Sequence, residues 1–367
     1  MKTIAIFGST GSIGRQSLEV IEKSEDFRVI FLTAHKNQEL LNEQSEKFNS
    51  EQYLGDLNAR IISEVVKKAD IIINAIPGFN GIYVSLEALK NGKILLSGNK
   101  ESLAVAGKFL IEIAKDNGGE IRPLDSEASA IWQLLNDYKE DVSSITLTCS
   151  GGPFFGKKKQ DLEFVTINEA LKHPTWKMGP KVSLDSATLV NKVLEVFEIK
   201  YLFNLDISKI NIVIHRQSVV HSMVHTKTGA TKMQISRNDM RLPIFYALNW
   251  PEKKEYPWPP LRIRKSELNF APADKDTFLP LKWLALHGAN PNFPVILNAA
   301  NDVAVAKFLA GEIKFLEIYD IIETALSKWI LEVPIHDLTG LIEFHNKISN
   351  ECCNNSSGRK IHTSKAR

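Results

Sequence analysis

Residues 3–7 (TIAIF) run directly into residues 8–14 (GSTGSIG), and this stretch decides how the chain begins to fold. The first segment is apolar and rich in β-branched side chains, which favours a buried strand. Glycines after such a strand let the backbone approach a pyrophosphate, and the N-terminus of the helix that follows attracts its negative charge. The stretch therefore predicts a nucleotide-binding turn. A tight turn that binds no ligand is the alternative.

Outward from this turn, strand and helix patterns alternate through the first 124 residues. The further expected strands cover residues 28–33, 71–74, 93–97 and 120–124, and the expected helices cover 12–23, 39–48, 60–68 and 103–117. Such alternation predicts an α/β fold with a parallel, doubly wound (Rossmann-like) sheet. Only the helix is clear between Phe48 and Ile71. We therefore expect this nucleotide-binding domain, 1–124, to be shortened there and to lack an edge strand.

The pattern changes from residue 143, and we place the domain boundary after residue 124. Residues 125–265 are expected to form an α+β middle catalytic domain, with strands at 143–149, 210–215, 219–225 and 230–235 and helices at 186–201 and around 239–248. Helical patterns at 280–287, 295–309, 315–331 and 338–350 predict a helical C-terminal domain over 266–350. Residues 351–367 are polar and are expected to be a disordered tail.

Composition narrows the class of protein. The 367 residues carry a formal net charge of +2, which gives no reason to expect a nucleic-acid partner. No apolar run approaches the roughly 20 residues that span a bilayer, so no membrane partner is expected either. The three cysteines, Cys149, Cys352 and Cys353, offer no disulfide framework and fit a reducing compartment. We expect a cytoplasmic protein, or a plastid stromal one if a transit peptide has been removed.

The end of the second predicted strand indicates which nucleotide binds. NAD-binding sheets usually carry Asp or Glu there to bind the ribose 2′-hydroxyl, whereas this strand is followed by His35, Lys36 and Asn37. Lys36 and His35 would attract the 2′-phosphate that a carboxylate would repel. We therefore predict NADPH as the cofactor. A solvated surface lysine is the alternative for Lys36.

Two short segments carry candidate ligand residues. Asp125 and Glu127 follow the last strand of the predicted sheet, where ligands of such sheets bind, and together they suit Mg²⁺ or Mn²⁺. Asn191, Lys192 and Glu195 are three and four residues apart and share one face of a predicted helix. Each pattern also has an ordinary structural meaning. The first could be a helix N-cap with an acidic first turn, and the second a solvated surface pair.

Small residues and a rigid loop suggest where a phosphorylated ligand binds. Ser186 is expected at the start of its helix, where the backbone attracts an anion. The turn Ser150-Gly151-Gly152 follows a strand and could cradle a phosphate. Residues 173–181 (HPTWKMGPK) combine prolines, a glycine and large apolar side chains. Such a loop suits a lid that excludes water from a substrate, or else a loop packed permanently on the core.

Nine short segments, in order, resemble the 1-deoxy-D-xylulose 5-phosphate reductoisomerase family. They are GSTGSIG (8–14), GNKES (98–102), DSE (125–127), SGGPF (150–154), HPTWKMG (173–179), DSATLVNKVLE (185–195), QSVVHSMV (217–224), DMRLPI (239–244) and NAANDVAVA (298–306). The resemblance runs from about residue 2 to about residue 331. It implies a homodimeric enzyme of isoprenoid precursor biosynthesis. With NADPH and Mg²⁺ or Mn²⁺, such an enzyme isomerises and reduces a small sugar phosphate, 1-deoxy-D-xylulose 5-phosphate, to 2-C-methyl-D-erythritol 4-phosphate.

The resemblance also implies a role for individual residues. The nucleotide would be held by Gly8, Thr10, Gly11, Ser12, Ile13, Lys36, Asn37, Asn99 and Glu101, and the metal by Asp125, Glu127 and Glu195. The substrate would be bound by Lys100, Ser126, Ser150, His173, Trp176, Ser186, Asn191 and Lys192. The lid would carry Trp176 and Met178, with His221 behind the residues that touch the ligands. The catalytic residues would be Lys100, Glu127, His173 and Lys192.

The chain departs from the family's usual residues at several positions. Ala128 replaces a histidine beside the metal ligands, which implies metal binding weaker by about 10- to 100-fold if that histidine orients them. Ala128→His should then tighten metal binding. Arg216 replaces a proline, Val193 a glycine, Asp302 a glutamate and Gly98 an alanine. Two other functions stay open, namely another NADPH-linked reductase of a phosphorylated or acidic carbonyl compound and a non-catalytic relative that binds nucleotide.

Overall fold

The computed structural model describes residues 1–137, 142–262 and 267–355. A parallel sheet, a mixed sheet and a group of helices follow one another along the chain. This order confirms the predicted fold class, in which a doubly wound sheet precedes an α+β part and a helical part. Within the described ranges, no helix has both the length and the apolar character needed to cross a membrane.

The first sheet consists of six parallel strands. They are β1 (Lys2–Phe7), β2 (Phe27–Ala34), β3 (Glu51–Leu54), β4 (Ile71–Asn74), β5 (Ile94–Ser97) and β6 (Glu120–Pro123), in the order β3-β2-β1-β4-β5-β6. The connecting helices are α1 (Ser12–Ile21), α2 (Gln38–Phe48), α3 (Ala59–Lys68), α4 (Ile82–Lys90) and α5 (Lys100–Asn117). Every residue of β4 is buried, as expected for a strand covered by helices on both faces. The strand order reverses between β1 and β4, which is where sheets of this kind bind ligands.

Asparagine side chains set where three of these helices begin. The side-chain oxygens of Asn37, Asn58 and Asn99 each accept a hydrogen bond from the backbone N–H three residues further on, at the starts of α2, α3 and α5. Such caps satisfy backbone donors that have no partner within the helix. The cap at Asn99 starts α5 at Lys100, three residues earlier than the apolar pattern indicates.

The expectation that the first sheet lacks an edge strand is wrong. Strand β3 pairs in parallel with β2 and forms that edge. Of its four residues only Tyr53 is half-buried, and the others are exposed, so the strand lacks the alternating apolar pattern that sequence analysis detects. Helix α4 is a further element that the sequence analysis leaves unassigned.

The second sheet is mixed and carries helices on one face. Its strands are β7 (Val142–Cys149), β8 (Ile210–Ile214), β9 (Val220–Thr226), β10 (Thr231–Ile235) and β11 (Ala271–Pro272), in the order β10-β9-β7-β8-β11. Helix α6 (Ser126–Asp137) precedes β7, and the short helix α7 (Ile167–Ala170) follows it. Ile145 and Leu147 of β7 form an apolar cluster with Ala128 and Ile131 of α6. This packing fixes the start of α6 beside the sheet.

The single helix expected over residues 186–201 is two helices. Helix α8 (Pro180–Thr188) ends and helix α9 (Val190–Leu202) begins at Leu189, whose φ of +64° is left-handed. That conformation costs about 1–2 kcal/mol for a residue with a side chain, and here Leu189 is held by burial in the core. Ser186 therefore lies in the last turn of α8. The expectation that it begins a helix is wrong.

Three of the remaining helices pack together, since the long, buried α12 (Phe293–Leu309) contacts both α13 (Glu317–Trp329) and α14 (Leu338–Asn355). Helix α10 (Arg241–Asn249) packs instead on α1 and α6, and α11 (Leu279–His287) packs on α9. The expectation that a disordered tail begins at residue 351 is wrong. Helix α14 continues to Asn355, and Lys307 donates hydrogen bonds to the carbonyls of Cys352 and Cys353. The rest of that tail, 356–367, and the expected boundary between 265 and 266 lie outside the described residues.

Candidate active site

A cavity of about 540 Å³ brings together most of the candidate site residues. Those that line it are Gly11, Ser12, Ile13, Lys100, Glu101, Asp125, Ser126, Glu127, Ser150, His173, Trp176, Met178, Ser186, Asn191, Lys192, Glu195 and His221. Five residues predicted for the site do not line the cavity, namely Gly8, Thr10, Lys36, Asn37 and Asn99. All five were assigned to the nucleotide, so the cavity combines the metal and substrate residues with only part of the nucleotide site.

Glycines permit the close approach of chain segments at the nucleotide turn. Gly8 has a φ of +89°, and a Cβ on it would lie 2.8 Å from the carbonyl oxygen of Ala75. A Cβ on Gly14 would lie 2.4 Å from the carbonyl oxygen of Gly8. Gly11 precedes helix α1 as its N-cap and provides no side-chain cap, which leaves the first backbone N–H groups of the helix available to an anion. The turn is therefore built as the sequence predicts.

Asn99 and Glu101 support the backbone beside this turn. The buried Asn99 amide donates 2.7 Å hydrogen bonds to the carbonyls of Ile76 and Gly78. The Glu101 carboxylate accepts a 2.9 Å bond from the N–H of Gly78. Because both side chains are engaged in this way, they shape the loop after β4. A direct contact between Asn99 and a nucleotide has no support from its position.

The region predicted to bind the 2′-phosphate is exposed and holds one acidic residue. Lys36 and Asn37 are exposed, and the Asn37 side chain is used to cap α2. His35 Nε2 lies 3.1 Å from Asp56 Oδ1, and the Asp56 side chain is 95% exposed. Sequence analysis missed this carboxylate because it arrives from the turn after the unanticipated strand β3.

The predicted metal ligands converge. One carboxylate oxygen from each of Asp125, Glu127 and Glu195 lies within 4.8 Å of the other two. Asp125 and Glu127 come from the junction of β6 with α6, and Glu195 comes from α9. This convergence needs the contact of two segments 68 residues apart, so the sequence could indicate the ligand types and not their meeting.

Two lysines, the half-buried Lys100 and the buried Lys192, lie against these carboxylates. Lys100 Nζ lies 2.5 Å from Asp125 Oδ1 and 2.8 Å from Glu195 Oε1. Lys192 Nζ lies 2.7 Å from Glu127 Oε1 and contacts Glu195 as well. Burial alone would lower the pKa of Lys100 and Lys192, but the surrounding carboxylates raise both well above the usual range. Both lysines are therefore protonated at neutral pH.

The carboxylates themselves respond in opposite directions. Burial favours the neutral form of Glu127, yet Lys192 and Lys100 lower its pKa to about 2. For Glu195, burial and the charge of Glu127 prevail over the lysines and raise the pKa to about 7. The cluster therefore holds more negative charge than its two lysines balance.

These residues fit a divalent cation. Asp125 Oδ2 is buried and has no hydrogen-bond partner among the residues that the structure describes. The donor set consists of oxygen atoms alone, which suits Mg²⁺ or Mn²⁺ and disfavours Zn²⁺. A cation would also remove the repulsion that raises the pKa of Glu195. Asp125, Glu127 and Glu195 would hold it.

A fourth carboxyl group, Glu198, lies behind this cluster and escaped the sequence analysis. It is fully buried, and neither of its oxygens has a hydrogen-bond partner within the described part of the chain. Burial and the charge of Asp125 raise the pKa of Glu198 well above its usual range. Its surroundings therefore favour the protonated, neutral form. Its position one helical turn after Glu195 was the available signal.

The surroundings of Ala128 do not support the expectation for that position. Its side chain is fully buried in the apolar cluster with Ile131, Leu147 and Val196. A histidine here would displace apolar neighbours and bury its polar nitrogens, which is costly. The structure gives no reason for Ala128→His to tighten metal binding.

The residues expected to bind a phosphate lie around His173. Its Nε2 lies 2.9 Å from Ser150 Oγ, and its Nδ1 accepts hydrogen bonds from the N–H groups of Thr175 and Trp176. The ring's proton is therefore on Nε2 when it is neutral. Burial and then Arg216 lower the pKa of His173 to about 4, so the neutral form prevails at pH 7. His173 is thus a hydrogen-bond donor without charge.

The loop over residues 173–179 lies across one side of the cavity. The Trp176 ring is 6.1 Å from the ring of His221, and Thr175 Oγ1 donates a 3.2 Å hydrogen bond to Ser218 Oγ. Pro180 and Lys181, which the sequence analysis included in this loop, already belong to α8. The loop therefore joins a rigid helix directly.

Lys181 connects that helix to two other parts of the fold. Its Nζ lies 2.7 Å from Asp185, 3.2 Å from Glu101 and 3.2 Å from Asp302. The last two belong to α5 and α12. Burial would lower the pKa of Lys181, but Asp185 and Asp302 raise it well above its usual range. Sequence analysis missed this cluster, for which the spacing of Lys181 and Asp185 was the only signal.

Family models match three segments of the chain. Residues 4–107 match "1-deoxy-D-xylulose 5-phosphate reductoisomerase", residues 121–203 match its C-terminal domain, and residues 235–350 match "DXP reductoisomerase C-terminal domain". The 1-deoxy-D-xylulose 5-phosphate reductoisomerase of Lachnospira eligens is 41% identical over 354 residues, which is 89% of this chain and 93% of that one. The enzyme of the same name from Clostridium botulinum is 42% identical over 357 residues, covering 90% and 93%.

Solved structures of similar proteins have the same fold. The 1-deoxy-D-xylulose 5-phosphate reductoisomerase of Zymomonas mobilis in complex with NADPH is 32% identical, with a TM-score of 0.87, and covers 98% of this chain and 100% of that one. A DOX-P reductoisomerase in complex with NADPH, fosmidomycin and magnesium is 29% identical, with a TM-score of 0.87 and coverage of 97% and 98%.

Proposed function

The chain belongs to the 1-deoxy-D-xylulose 5-phosphate reductoisomerase family, and we propose that its cavity isomerises and reduces that substrate to 2-C-methyl-D-erythritol 4-phosphate. The observation that carries the proposal is the meeting of Asp125, Glu127 and Glu195 in the cavity that Ile13 and His173 also line. NADPH and Mg²⁺ are the cofactors, as in the relatives solved with them. We propose that Mn²⁺ can replace Mg²⁺, because both prefer oxygen ligands.

Ser150, His173, Ser186, Asn191 and Lys192 bind the substrate's phosphate in this proposal. His173 donates from Nε2, and the two serines donate from their hydroxyls. All five residues line the cavity, although Ser186 does so from the end of α8 rather than from a helix start. The substrate's phosphate is therefore expected at the end of the cavity formed by β7, α8 and α9.

Lys100 and Ser126 bind the oxygen atoms of the substrate's carbon chain. Lys100 is already held at Asp125 and Glu195, so it lies where the reacting carbonyl must approach the metal ligands. A divalent cation held by Asp125, Glu127 and Glu195 would act as a Lewis acid toward the carbonyl, and NADPH would supply hydride to the branched aldehyde that the rearrangement yields. The ammonium group of Lys100 stabilises negative charge on the substrate's oxygens as the carbon skeleton rearranges.

The loop 173–179 acts as the lid. Trp176 and Met178 cover the cavity, which excludes water from the aldehyde before it is reduced. The lid's contacts to Ser218 and His221 are few, which suits a segment that opens and closes. This arrangement supports a reductase that protects a reactive intermediate.

A direct assay tests the proposed function. Purified protein is mixed with NADPH and 1-deoxy-D-xylulose 5-phosphate, with and without Mg²⁺ or Mn²⁺, and the loss of NADPH absorbance is followed. Metal-dependent oxidation that yields the branched polyol phosphate is the expected result. Oxidation with other phosphorylated ketones and none with this substrate would leave only the wider class of NADPH-linked reductase.

Lys36→Ala is expected to weaken NADPH binding by about tenfold while changing NADH binding less than about twofold, because only the first carries a 2′-phosphate. Lys36 is exposed and directly follows His35, whose ring lies against the carboxylate of Asp56. The dissociation constants are measured by fluorescence titration. Lys23→Ala, an exposed lysine elsewhere, is the control. Equal losses for both nucleotides would contradict a role for Lys36 at the 2′-phosphate.

His173→Ala is expected to raise KM for the sugar phosphate by about 10- to 100-fold, the effect of losing a hydrogen bond to a charged group. The KM for NADPH should stay unchanged, since His173 lies at the substrate's end of the cavity. Initial rates over both substrate concentrations give the two constants, with the exposed His336→Ala as control. An unchanged KM for the sugar phosphate would remove His173 from the site. Lys192 is less suitable, because its loss also disturbs Glu127 and Glu195.

We further propose a homodimer, a cytoplasmic location and a role in isoprenoid precursor biosynthesis. The edge strand β10 supports the dimer, since Met233 on it is 39% exposed and an open sheet edge favours a partner. Sedimentation of the purified protein measures its oligomeric state. The bacterial relatives support a cytoplasmic location over a plastid one.

A further inference from the structure

Arg216 lies behind the loop that cradles the proposed phosphate site. Its Nη1 donates hydrogen bonds to the carbonyl oxygens of Ser150, at 2.5 Å, and Gly152, at 2.7 Å. Its guanidinium lies 5.1 Å from the centre of the Phe155 ring, which covers its other side. Arg216 is not a lining residue of the cavity, so it reaches a ligand only through this loop and through its charge.

The loop depends on such a support. Gly151 and Gly152 have φ values of +76° and +66°, a conformation that leaves carbonyl groups without regular partners. A carbonyl oxygen repels a bound anion, whereas an N–H group attracts it. By binding the oxygens of Ser150 and Gly152, Arg216 directs two negative dipole ends away from the anion.

The charges of the side chains around the proposed phosphate site also indicate a role for Arg216. His173 is neutral at pH 7, and Lys192 is paired with both Glu127 and Glu195. Arg216 has no carboxylate partner within 4.0 Å among residues 1–137, 142–262 and 267–355. A guanidinium stays protonated in proteins. The charge of Arg216 is therefore available to a phosphate dianion on the far side of the loop.

We propose that Arg216 is a positioning residue of the phosphate site, which orients the Ser150–Gly152 loop and supplies positive charge from behind it. This inference rests on the proposed function for the identity of the ligand. Arg216 makes the site selective for a doubly charged phosphate over singly charged or neutral groups. It contributes to substrate binding and leaves the hydride transfer to the residues in the cavity.

We expect the loss of Arg216 to change the KM for the sugar phosphate much more than kcat or the KM for NADPH. Arg216→Gln should raise KM for 1-deoxy-D-xylulose 5-phosphate by about tenfold, the factor that about 1.4 kcal/mol corresponds to, with kcat within about threefold and KM for NADPH unchanged. Arg216→Lys keeps the charge and should recover most of the loss. Arg60→Gln removes an exposed charge on α3 and is the matched control. An unchanged KM in Arg216→Gln overturns the inference, and so does a parallel loss in KM for both substrates and in thermal stability.

Two readouts independent of turnover complete the test. Inorganic phosphate, titrated against the NADPH-free protein by calorimetry, should bind about tenfold more weakly to Arg216→Gln than to the wild type or Arg216→Lys. The pKa of His173, followed by NMR, should rise in Arg216→Gln and stay low in Arg216→Lys, because a nearby positive charge disfavours protonation. A protein inactive on the sugar phosphate that passes both tests would refute the proposed function alone. Turnover with no effect of Arg216 on either readout would refute the inference alone.

Discussion

Excess chelator is expected to abolish turnover, and Glu195→Gln to lower kcat by at least about 10³-fold, because loss of the Lewis acid removes several kcal/mol of transition-state stabilisation. Glu195 faces both lysines and both other carboxylates, so it is the ligand through which the two halves of the cluster meet. Steady-state rates in Mg²⁺, in Mn²⁺ and after dialysis against chelator measure the effect. Added Mg²⁺ should restore the wild type and leave Glu195→Gln inactive.

Stability separates this catalytic loss from unfolding. Glutamine has the shape of glutamate, and burial already favours the neutral form of Glu195 in the metal-free protein. The thermal midpoint of Glu195→Gln should therefore lie within a few degrees of the wild type. Glu312→Gln, an exposed carboxylate on another surface, serves as the matched control. Full activity in excess chelator would end the metal hypothesis.

Lys181→Met is expected to destabilise the protein by about 3–5 kcal/mol, the usual cost of removing one partner from a buried ion pair. The change leaves the carboxylates of Glu101, Asp185 and Asp302 without their shared cation. Denaturant unfolding followed by circular dichroism measures the free energy of unfolding. Lys172→Met removes an exposed lysine nearby and should change that free energy by less than about 0.5 kcal/mol.

Two further measurements test whether Lys181 holds α8 against α5 and α12. Asp302→Asn, added to Lys181→Met, removes one of the uncompensated charges and should recover part of the lost stability. Hydrogen exchange in the lid loop, 173–179, should quicken in Lys181→Met, because the helix that follows the loop loses its tie to α5 and α12. A stable variant with unchanged exchange would show that the apolar core alone holds α8 in place.

Local patterns were enough for the regular part of the fold. The apolar strand before residues 8–14, the alternation after it and the helical period of the C-terminal segments predicted the doubly wound sheet and the helices that follow. The weak elements were not predictable in this way. Strand β3 is exposed on an edge, so its residues carry no apolar pattern, and its existence depends on pairing with β2. The break at Leu189 also has no local signal, since leucine rarely adopts a left-handed conformation.

The chain's sequence alone determined the chemical types in the site, and the tertiary structure decided which of them meet. Asp125 and Glu127 could be named as oxygen ligands from their spacing, and Glu195 from the resemblance, because each segment is short and specific. Four features depend on residues that are far apart in the chain or buried together: the convergence of these carboxylates, the buried carboxyl group of Glu198, the Lys181 cluster and the contact of Arg216 with the Ser150–Gly152 loop. The burial of a side chain and its distance from other groups set its pKa, its charge and its hydrogen-bond partners. Burial and distance are defined only once the chain is folded.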